Sequence, residues 1–332
     1  GNETFVGGTT TTAADAETAG HMDVLHGIVN FTGWLGIGRQ NGTSVTAPQG
    51  LVSTFSLHDG EVTCLDLSLG YAEVPNTIYT MRPELNVYGG VLRVRNDVRL
   101  DHTYSWGRFN VNGGTFIAQK FRNSNYYPGS HVEINVSNGG EFRTTEHLAL
   151  AHHSTAEHPS YARVNVTDGG VLSLKTMYKS SEYAAADVEL HFNGGILRSY
   201  QSAYEDQIFP DEKIFVGEKG MTVDVSNATY WGLKINAPIV ATSGTGGIAV
   251  VNDTDSANRW VCFNGGVEVP GGLTVENACV LFAKDVKAAV TVRDDVSTVR
   301  ATGDVTVDAL TFEGNEALLD CAMSGAADAA GV

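Results

Sequence analysis

A Gly-Gly corner between two short apolar alternations recurs along the chain, and it constrains the fold more than any other feature. The unit reads LNVYGGVLRV from Leu85, FNVNGGTFIA from Phe109, INVSNGGEFRT from Ile134, VNVTDGGVLSL from Val164, LHFNGGILRS from Leu190 and VCFNGGVEV from Val261. The first glycines of the five consecutive copies are at positions 89, 113, 139, 169 and 194. Successive copies are thus about 24–30 residues apart, which is the length of one coil of a β-solenoid.

Each copy contains the parts that one turn of such a coil needs. Before the glycines, apolar and polar residues alternate, as in Phe109, Asn110 and Val111, which sends alternate side chains to opposite faces of a strand. We predict a turn at each Gly-Gly pair, because Gly, Asn and Asp adopt positive φ at little cost. The predicted turn residues are Asn112, Gly113, Gly114, Asn138, Gly139, Gly140, Asp168, Gly169, Gly170, Asn193, Gly194, Gly195, Asn264, Gly265 and Gly266.

An Asn-Gly turn between alternating strands is also the strongest short-range signal for a β-hairpin, so an antiparallel meander is the competing interpretation. A meander has a turn at each end of every strand, whereas this corner recurs only once per copy, with filler of variable length between copies. The repeat thus predicts an all-β parallel β-helix, or β-solenoid, with about 24–30 residues per rung, a rung being one turn of the coil. Stacked rungs lie about 4.8 Å apart, so Asn112, Asn138 and Asn193 are predicted to form a ladder.

The predicted coil spans residues 21–322 and becomes less regular after about residue 205, where short alternations such as MTVDVS and LTVEN persist without the full unit. A separate β-sandwich beyond residue 205 is the alternative. Residues 1–20 and 323–332 are rich in small residues, which predicts a flexible or capping N-terminal segment and a flexible C-terminal tail. Open strand edges at the ends of a solenoid predict self-association through those ends.

The charge balance excludes several classes of partner. The net charge of -17, from 38 acidic and 21 basic residues, opposes binding to nucleic acid and to anionic lipid. Apolar runs such as Ala278–Ala283 are far shorter than the roughly 20 residues that a membrane-spanning helix needs. We therefore predict no nucleic-acid partner and no direct membrane insertion.

The four cysteines are too few for a disulfide scaffold and contain no CxxC pair. Cys64, Cys262, Cys279 and Cys321 each lie in an apolar run, which predicts buried free thiols; a bridge from Cys262 to Cys279 between neighbouring rungs is the alternative.

Asn-x-Ser/Thr triplets, which accept glycans in eukaryotic secreted proteins, begin at Asn2, Asn30, Asn41, Asn135, Asn165, Asn227 and Asn252. The repeat itself explains part of their number.

No segment carries a recognisable catalytic or metal-binding signature. The histidine-rich segment EHLALAHHSTAEH, with His147, His152, His153 and His158, matches no HExxH spacing and is predicted to be a solvated loop. The acidic groups are predicted to be surface charge; they are Glu205, Asp206, Asp211, Glu212, Asp253, Asp255, Asp294 and Asp295. Because GxSxG elbows and P-loops are also missing, we predict no catalytic residue, no cofactor and no metal site.

The units NGGTF, NGGIL and DGGVLSL resemble the strand repeats of bacterial autotransporter passengers and related surface proteins. The resemblance covers Leu85–Arg198 well and the remainder loosely. It implies a right-handed parallel β-helix that is extracellular or displayed at the cell surface as an adhesin, stalk or surface layer. It carries over no catalytic residue.

Two classes of function follow from these observations. The first is an extracellular structural or adhesive β-helix without catalytic activity, whose partners are surface glycans or host or cell-surface proteins. The second is a carbohydrate-binding or carbohydrate-cleaving β-helix, such as a polysaccharide lyase, a glycosidase or a phage tail-spike, in which the loops Phe121–His131 and Ala151–Ser160 wall a glycan groove. A subunit of a surface filament is a further alternative.

Overall fold

The fold is all-β, as predicted. The computed structural model describes residues 3–8, 19–40, 52–72, 82–100, 105–123, 128–178, 187–200, 207–208, 213–228, 232–254, 259–302, 304–313 and 318–322. These residues form strands, turns and bends, and none of them belongs to a helix with the length and hydropathy of a membrane span. The chain divides into two compact units, Gly1–Tyr200 and Gln201–Val332, called unit one and unit two.

The described part of unit one contains eighteen strands. They are β1 Glu3–Gly8, β2 His21–Val24, β3 Ile28–Asn30, β4 Trp34–Gln40, β5 Thr54–Leu57, β6 Glu61–Cys64, β7 Asp66–Ala72, β8 Glu84–Val87, β9 Val91–Leu100, β10 Trp106–Asn112, β11 Thr115–Asn123, β12 His131–Ser137, β13 Glu141–Ala149, β14 Tyr161–Thr167, β15 Val171–Leu174, β16 Met177–Tyr178, β17 Asp187–Asn193 and β18 Gly195–Ser199.

These strands stack in parallel to form three sheet faces. Face one consists of β2, β5, β8, β10, β12, β14 and β17. Face two consists of β3, β6, β15, β18 and the first halves of β9, β11 and β13. Face three consists of β1, β4, β7, β16 and the second halves of the same three long strands. The predicted parallel β-helix is therefore confirmed, and the hairpin meander is wrong.

The length of a rung varies more than the sequence indicates. On face one, the hydrogen-bonded residues of successive strands from β8 to β17 are separated along the chain by 24, 25, 30 and 26 residues. His21 and Thr54, which pair between β2 and β5, are separated by 33 residues. In unit two, the pair Glu268 and Lys287 is separated by only 19 residues. The predicted interval holds for the Gly-Gly copies and for part of unit two, where Met221 pairs with Ile248 and Ile248 with Leu273, but it is exceeded near the start of the chain and is not reached by the shortest rungs of unit two.

The interior of unit one is filled by the inward side of each strand. Phe109, Phe116, Phe121 and Phe142 are fully buried, and the rings of Phe116 and Phe142 stack with centroids 4.8 Å apart. Burying one such side chain contributes about 1.5–3 kcal/mol, and a favourable ring pair adds about 0.5–1.5 kcal/mol. The phenylalanines therefore bind successive rungs together from within.

The Gly-Gly corner joins face one to face two, and its two glycines have different roles. The first glycine has positive φ in four copies, at Gly113, Gly139, Gly169 (φ 76°) and Gly194, whereas in the first copy the second glycine, Gly90, has it. The second glycine packs against the preceding rung: a Cβ atom added to Gly170 would lie 2.3 Å from the carbonyl oxygen of Val136. Among the residues before the pair, Asn138 and Asp168 adopt positive φ. These two residues belong to corners that contain one residue more between the strand and the Gly-Gly pair than the other corners do.

Unit two is also a parallel coil. Its strands are β19 Gln207–Ile208, β20 Ile214–Val216, β21 Met221–Asp224, β22 Leu233–Ile235, β23 Ile239–Ala241, β24 Ile248–Val251, β25 Trp260–Phe263, β26 Val267–Glu268, β27 Leu273–Glu276, β28 Cys279–Phe282, β29 Val286–Val292, β30 Thr298–Thr302, β31 Val307–Phe312 and β32 Leu318–Ala322. Successive rungs pair in parallel, for example β21 with β24 and β24 with β27. A β-sandwich is built from antiparallel strands, so the sandwich alternative for this region is wrong. The predicted turn at Asn264, Gly265 and Gly266 joins β25 to β26.

The ends of the chain differ in part from expectation. Within residues 1–20, for which we predicted a flexible or capping segment, Glu3–Gly8 form a strand paired in parallel with β4 on face three. Residues 323–332, the predicted flexible tail, lie outside the described residues.

Candidate functional site

The outward side of face one carries side chains that repeat in register from one rung to the next. In β10 and β12 every second residue is buried, and the residues between them point outward and are half-buried. We call the outward side of β8, β10, β12, β14 and β17 the ladder surface. A column denotes side chains at equivalent positions of successive rungs, and the ladder surface has three adjacent columns.

The central column is a ladder of asparagine side chains. Asn110 Nδ2 donates to Asn86 Oδ1 at 2.8 Å, Asn135 Nδ2 to Asn110 Oδ1 at 2.9 Å and Asn165 Nδ2 to Asn135 Oδ1 at 2.8 Å. His191 occupies the same position in the next strand. In-register parallel stacking produces this geometry because equivalent residues of successive rungs lie about 4.8 Å apart.

The second column alternates in charge from one rung to the next. It consists of Glu84, Arg108, Glu133, Arg163 and Glu189. Arg108 Nη1 donates to Glu84 Oε1 at 2.9 Å and Arg108 Nε to Glu133 Oε2 at 3.0 Å. Arg163 Nε donates to Glu189 Oε2 at 2.9 Å. Like charges at this spacing would repel, and the alternation turns each contact between rungs into an attraction.

Titration of the last pair follows from its contacts. The pKa of Glu189 is lowered, first by its hydrogen bond with His191 and also by Arg163, against the opposing effect of burial. The hydrogen bond to Glu189 raises the pKa of Arg163. Both groups are therefore ionised at neutral pH. Neither of them can act as a general acid at that pH, although Arg163 still donates hydrogen bonds.

The third column is aromatic and borders the charged column. Trp106, His131 and Tyr161 lie opposite one another in register, with the ring centroids of His131 and Tyr161 6.0 Å apart. Arg108 lies 4.7 Å from the Trp106 ring and Arg163 5.6 Å from the Tyr161 ring, distances at which a cation is attracted to the ring face. Burial lowers the pKa of His131, so its imidazole is neutral at pH 7.

Sequence analysis predicted a different ladder. Asn138 Nδ2 donates to Asn112 Oδ1 at 2.6 Å, so these two corner residues do form one ladder bond, and the next corner holds Asp168 in their place. Asn193 accepts a hydrogen bond at its backbone carbonyl from the Asp168 amide. The longer asparagine column was visible in the aligned repeat, because the unit reads xNV in four consecutive copies.

Face three holds a group of buried charges. The Asp97 side chain is 1% exposed and lies between Arg99 and Arg122. Arg99 Nε donates to Oδ2 at 2.9 Å and Arg122 Nε to Oδ1 at 3.1 Å. The neighbouring Asp66 accepts hydrogen bonds from Asn96 Nδ2 at 2.8 Å and from the Asp97 amide at 3.2 Å. Both carboxylates are thus fixed by donors across successive rungs.

The histidine-rich segment is divided between a strand and a loop. His147 lies on β13, and the other three histidines lie in the turn between β13 and β14. Burial, reinforced by Arg122, lowers the pKa of His147. Ser160 closes the loop through Oγ, which donates to the His153 carbonyl at 2.7 Å. Within the described ranges no set of three His, Cys, Asp or Glu side chains is arranged to hold a metal ion.

The acidic candidates are also dispersed. Glu205, Asp206, Asp211, Glu212 and Asp255 lie outside the described residues, and Asp253 is exposed. The Asp294 carboxylate organises a turn: it accepts hydrogen bonds from the amides of Asn277, Val296 and Ser297 and from Ser297 Oγ. Burial by itself raises the pKa of Asp294, but these hydrogen bonds outweigh it and leave the pKa below its usual value.

None of the cysteines whose side chains are described forms a disulfide bond: Cys64 and Cys279 are buried, as predicted, whereas Cys262 is half-buried. Cys262 lies opposite Leu281, and Cys279 lies opposite Trp260. The two cysteines are therefore diagonal neighbours, about 7–8 Å apart, whereas the Cα atoms of a disulfide are usually about 4.4–6.8 Å apart. The alternative of a bridge between them is wrong. Burial raises the pKa of Cys64 to about 12.

The glycosylation triplets differ in accessibility. Asn135 and Asn165 are members of the asparagine column, and the Asn252 side chain is 3% exposed and donates to the Asn277 carbonyl. Asn30 and Asn227 are exposed. Asn2 and Asn41 lie outside the described residues.

The same sequence and structure were compared with known proteins. No protein-family model, no curated protein and no solved structure matches the chain.

Proposed function

We propose that this protein is an extracellular structural or adhesive β-helix without catalytic activity, and that the ladder surface is where it contacts its partner. The observation that supports the proposal is the repetition of three columns over successive rungs, joined by hydrogen bonds and ion pairs along the stacking direction. Groups repeated at a fixed spacing suit an extended partner with its own repeat. A single small molecule would use only a fraction of them.

The state of the carboxylates favours binding over catalysis. A general acid or base needs a group whose proton moves near the working pH. Glu84, Glu133 and Glu189 instead contact guanidinium groups of neighbouring rungs, and the pKa of Glu189 is lowered, first by its hydrogen bond with His191 and also by Arg163. Such carboxylates serve as acceptors of hydrogen bonds from a partner.

Adhesion and turnover can be measured on the same samples. The protein is incubated with immobilised polysaccharides and cell-surface proteins, and both retained protein and released products are quantified. We expect retention on at least one surface, reduced in the variant Tyr161→Ala/Arg163→Ala. The matched control is Glu268→Ala/Lys287→Ala, which removes an exposed ion pair of 3.3 Å in unit two and should leave retention unchanged. Release of oligosaccharides above the buffer rate contradicts the proposal.

A further inference from the structure

We propose that the ladder surface binds an uncharged, linear polysaccharide whose chain runs along the stacking direction, with one sugar unit on each rung. This inference rests on the proposed adhesive function and names the chemistry of its partner. It is carried by the hydrogen-bonding capacity of the asparagine column, by its spacing and by the charge of the neighbouring column.

The asparagine column leaves half of its hydrogen-bonding capacity unused. A side-chain amide has two N–H donors and an oxygen with two acceptor sites. Asn110 and Asn135 each use one donor and one acceptor within the column. One N–H and one acceptor site per rung thus remain for an outside partner. A sugar hydroxyl both donates and accepts, so it matches this pair of groups.

The spacing of these groups selects an extended partner. Successive rungs advance by about 4.8 Å, close to the advance of one sugar unit in a fully extended β-1,4-linked chain. The register of face one is continuous from β8 to β17, so the members of the asparagine column lie in a straight line along the stacking direction. A coiled glycan cannot follow a straight row over several rungs.

The charged column selects against acidic polymers. It contains three carboxylates and two guanidinium groups, and the whole chain has a net charge of -17. A polyanion is repelled by this field. An uncharged sugar chain avoids that repulsion, and its hydroxyls can still donate to Glu133 and accept from Arg163, which are partly exposed.

The aromatic column supplies the apolar contact that a sugar ring needs. Trp106 and Tyr161 are half-buried and border the charged column. Tyrosine and tryptophan present an apolar ring together with a polar group, so they can pack against the C–H groups of a sugar while its hydroxyls face the amides. These rings therefore define one lateral edge of the bound chain.

Isothermal titration calorimetry of the full chain tests the proposal with three hexasaccharides. Cellohexaose is extended and uncharged, maltohexaose is uncharged and coiled, and hexagalacturonate is acidic. We expect cellohexaose to bind more tightly than either of the others. In the variant Asn110→Ala/Asn135→Ala, Kd should rise about tenfold or more, the factor that corresponds to about 1.4 kcal/mol.

Two further variants guard against a loss of fold. Asn110→Ser/Asn135→Ser shortens the same side chains, and Ser56 already occupies this column, so the variant is expected to fold and still to lose affinity. Asn264→Ala removes a comparable hydrogen bond in unit two, in which Asn264 Nδ2 donates to Asn236 Oδ1 at 2.7 Å. This variant should bind cellohexaose as tightly as the unmodified protein does.

Three results would overturn the inference. They are an unchanged Kd in the folded serine variant, hexagalacturonate binding as tightly as cellohexaose, and no binding of cellohexaose by the unmodified protein. If the last result is accompanied by retention on cell-surface proteins, the adhesive function stands and only the identity of the partner is wrong. Loss of both retention and binding would reject the proposed function as well.

Discussion

Reversing one charge of the alternating column should weaken unit one by a predictable amount. In Arg108→Glu, two attractive contacts, at 2.9 Å with Glu84 and 3.0 Å with Glu133, are lost and three consecutive carboxylates result. Each lost pair is worth about 0.2–1 kcal/mol at such partly exposed positions. Two charges about 5 Å apart repel by about 1 kcal/mol in a water-like medium. Two lost attractions and two new repulsions sum to about 2–4 kcal/mol.

A fully inverted column separates this effect from other consequences of the substitution. The variant Glu84→Arg/Arg108→Glu/Glu133→Arg/Arg163→Glu/Glu189→Arg restores the alternation with opposite signs. It should recover most of the lost free energy, although it removes the cation–π contacts that Arg108 and Arg163 make with their neighbouring rings. The order of stability expected is unmodified protein, inverted column and then the single variant.

The assay should report on unit one alone, because a chain of two units need not unfold in a single step. Amide hydrogen exchange of β8, β10 and β12 provides that readout. Arg108→Glu should accelerate exchange in these strands and leave β24 and β27 of unit two unchanged. Added salt should reduce the difference in part, since the Debye length is about 10 Å at 0.1 M. The reasoning is refuted if the inverted column exchanges as fast as the single variant.

Three further predictions concern the corner, a buried thiol and a turn. Gly170→Ala should lower the midpoint of urea denaturation, because its Cβ would lie 2.3 Å from the Val136 carbonyl oxygen; an unchanged midpoint would show that the rungs can move apart. Cys64, with its pKa raised to about 12 by burial, should resist iodoacetamide at pH 8 until urea unfolds the chain, as measured by mass spectrometry. Because the folded pKa of Asp294 is lowered, its stabilisation is present above the unfolded pKa and is lost as pH falls through the folded pKa. Asp294→Asn should therefore reduce stability at pH 7 and flatten the dependence of stability on pH below about 4, as followed by urea denaturation.

The fold was predictable because one corner repeats with demanding backbone geometry. Gly169 needs positive φ and Gly170 lies against the preceding rung, so both positions stay glycine and the interval between copies can be measured. Unit two lacks that marker at equivalent places, and its shortest rungs, such as the one from Glu268 to Lys287, fall below the predicted interval. The short alternations of Val and Thr in unit two are compatible with either a β-sandwich or a parallel coil. Only the pairing of strands that are far apart in the sequence distinguishes the two folds.

The candidate site was harder to predict than the fold, for a physical reason. The sequence of one rung shows Glu, Arg or Asn as ordinary exposed polar residues. Their meaning depends on the register, which places Asn135 against Asn110 and Arg108 between Glu84 and Glu133. Aligning the repeat copies on the x-Asn-Val strand before the corner reveals both columns, whereas aligning them on the glycines shifts the two longer corners by one residue. A search for catalytic motifs cannot reveal the columns, because they contain no motif within any single copy.

The alternating column also restricts how such a coil can lengthen or shorten. Removal of one complete rung, such as the one that contains Arg108, would bring Glu84 directly against Glu133. Duplication of a single rung would place two arginines or two glutamates side by side. Gain or loss of two adjacent rungs preserves every attraction. Stably folded length variants of this region should therefore differ from one another by an even number of rungs.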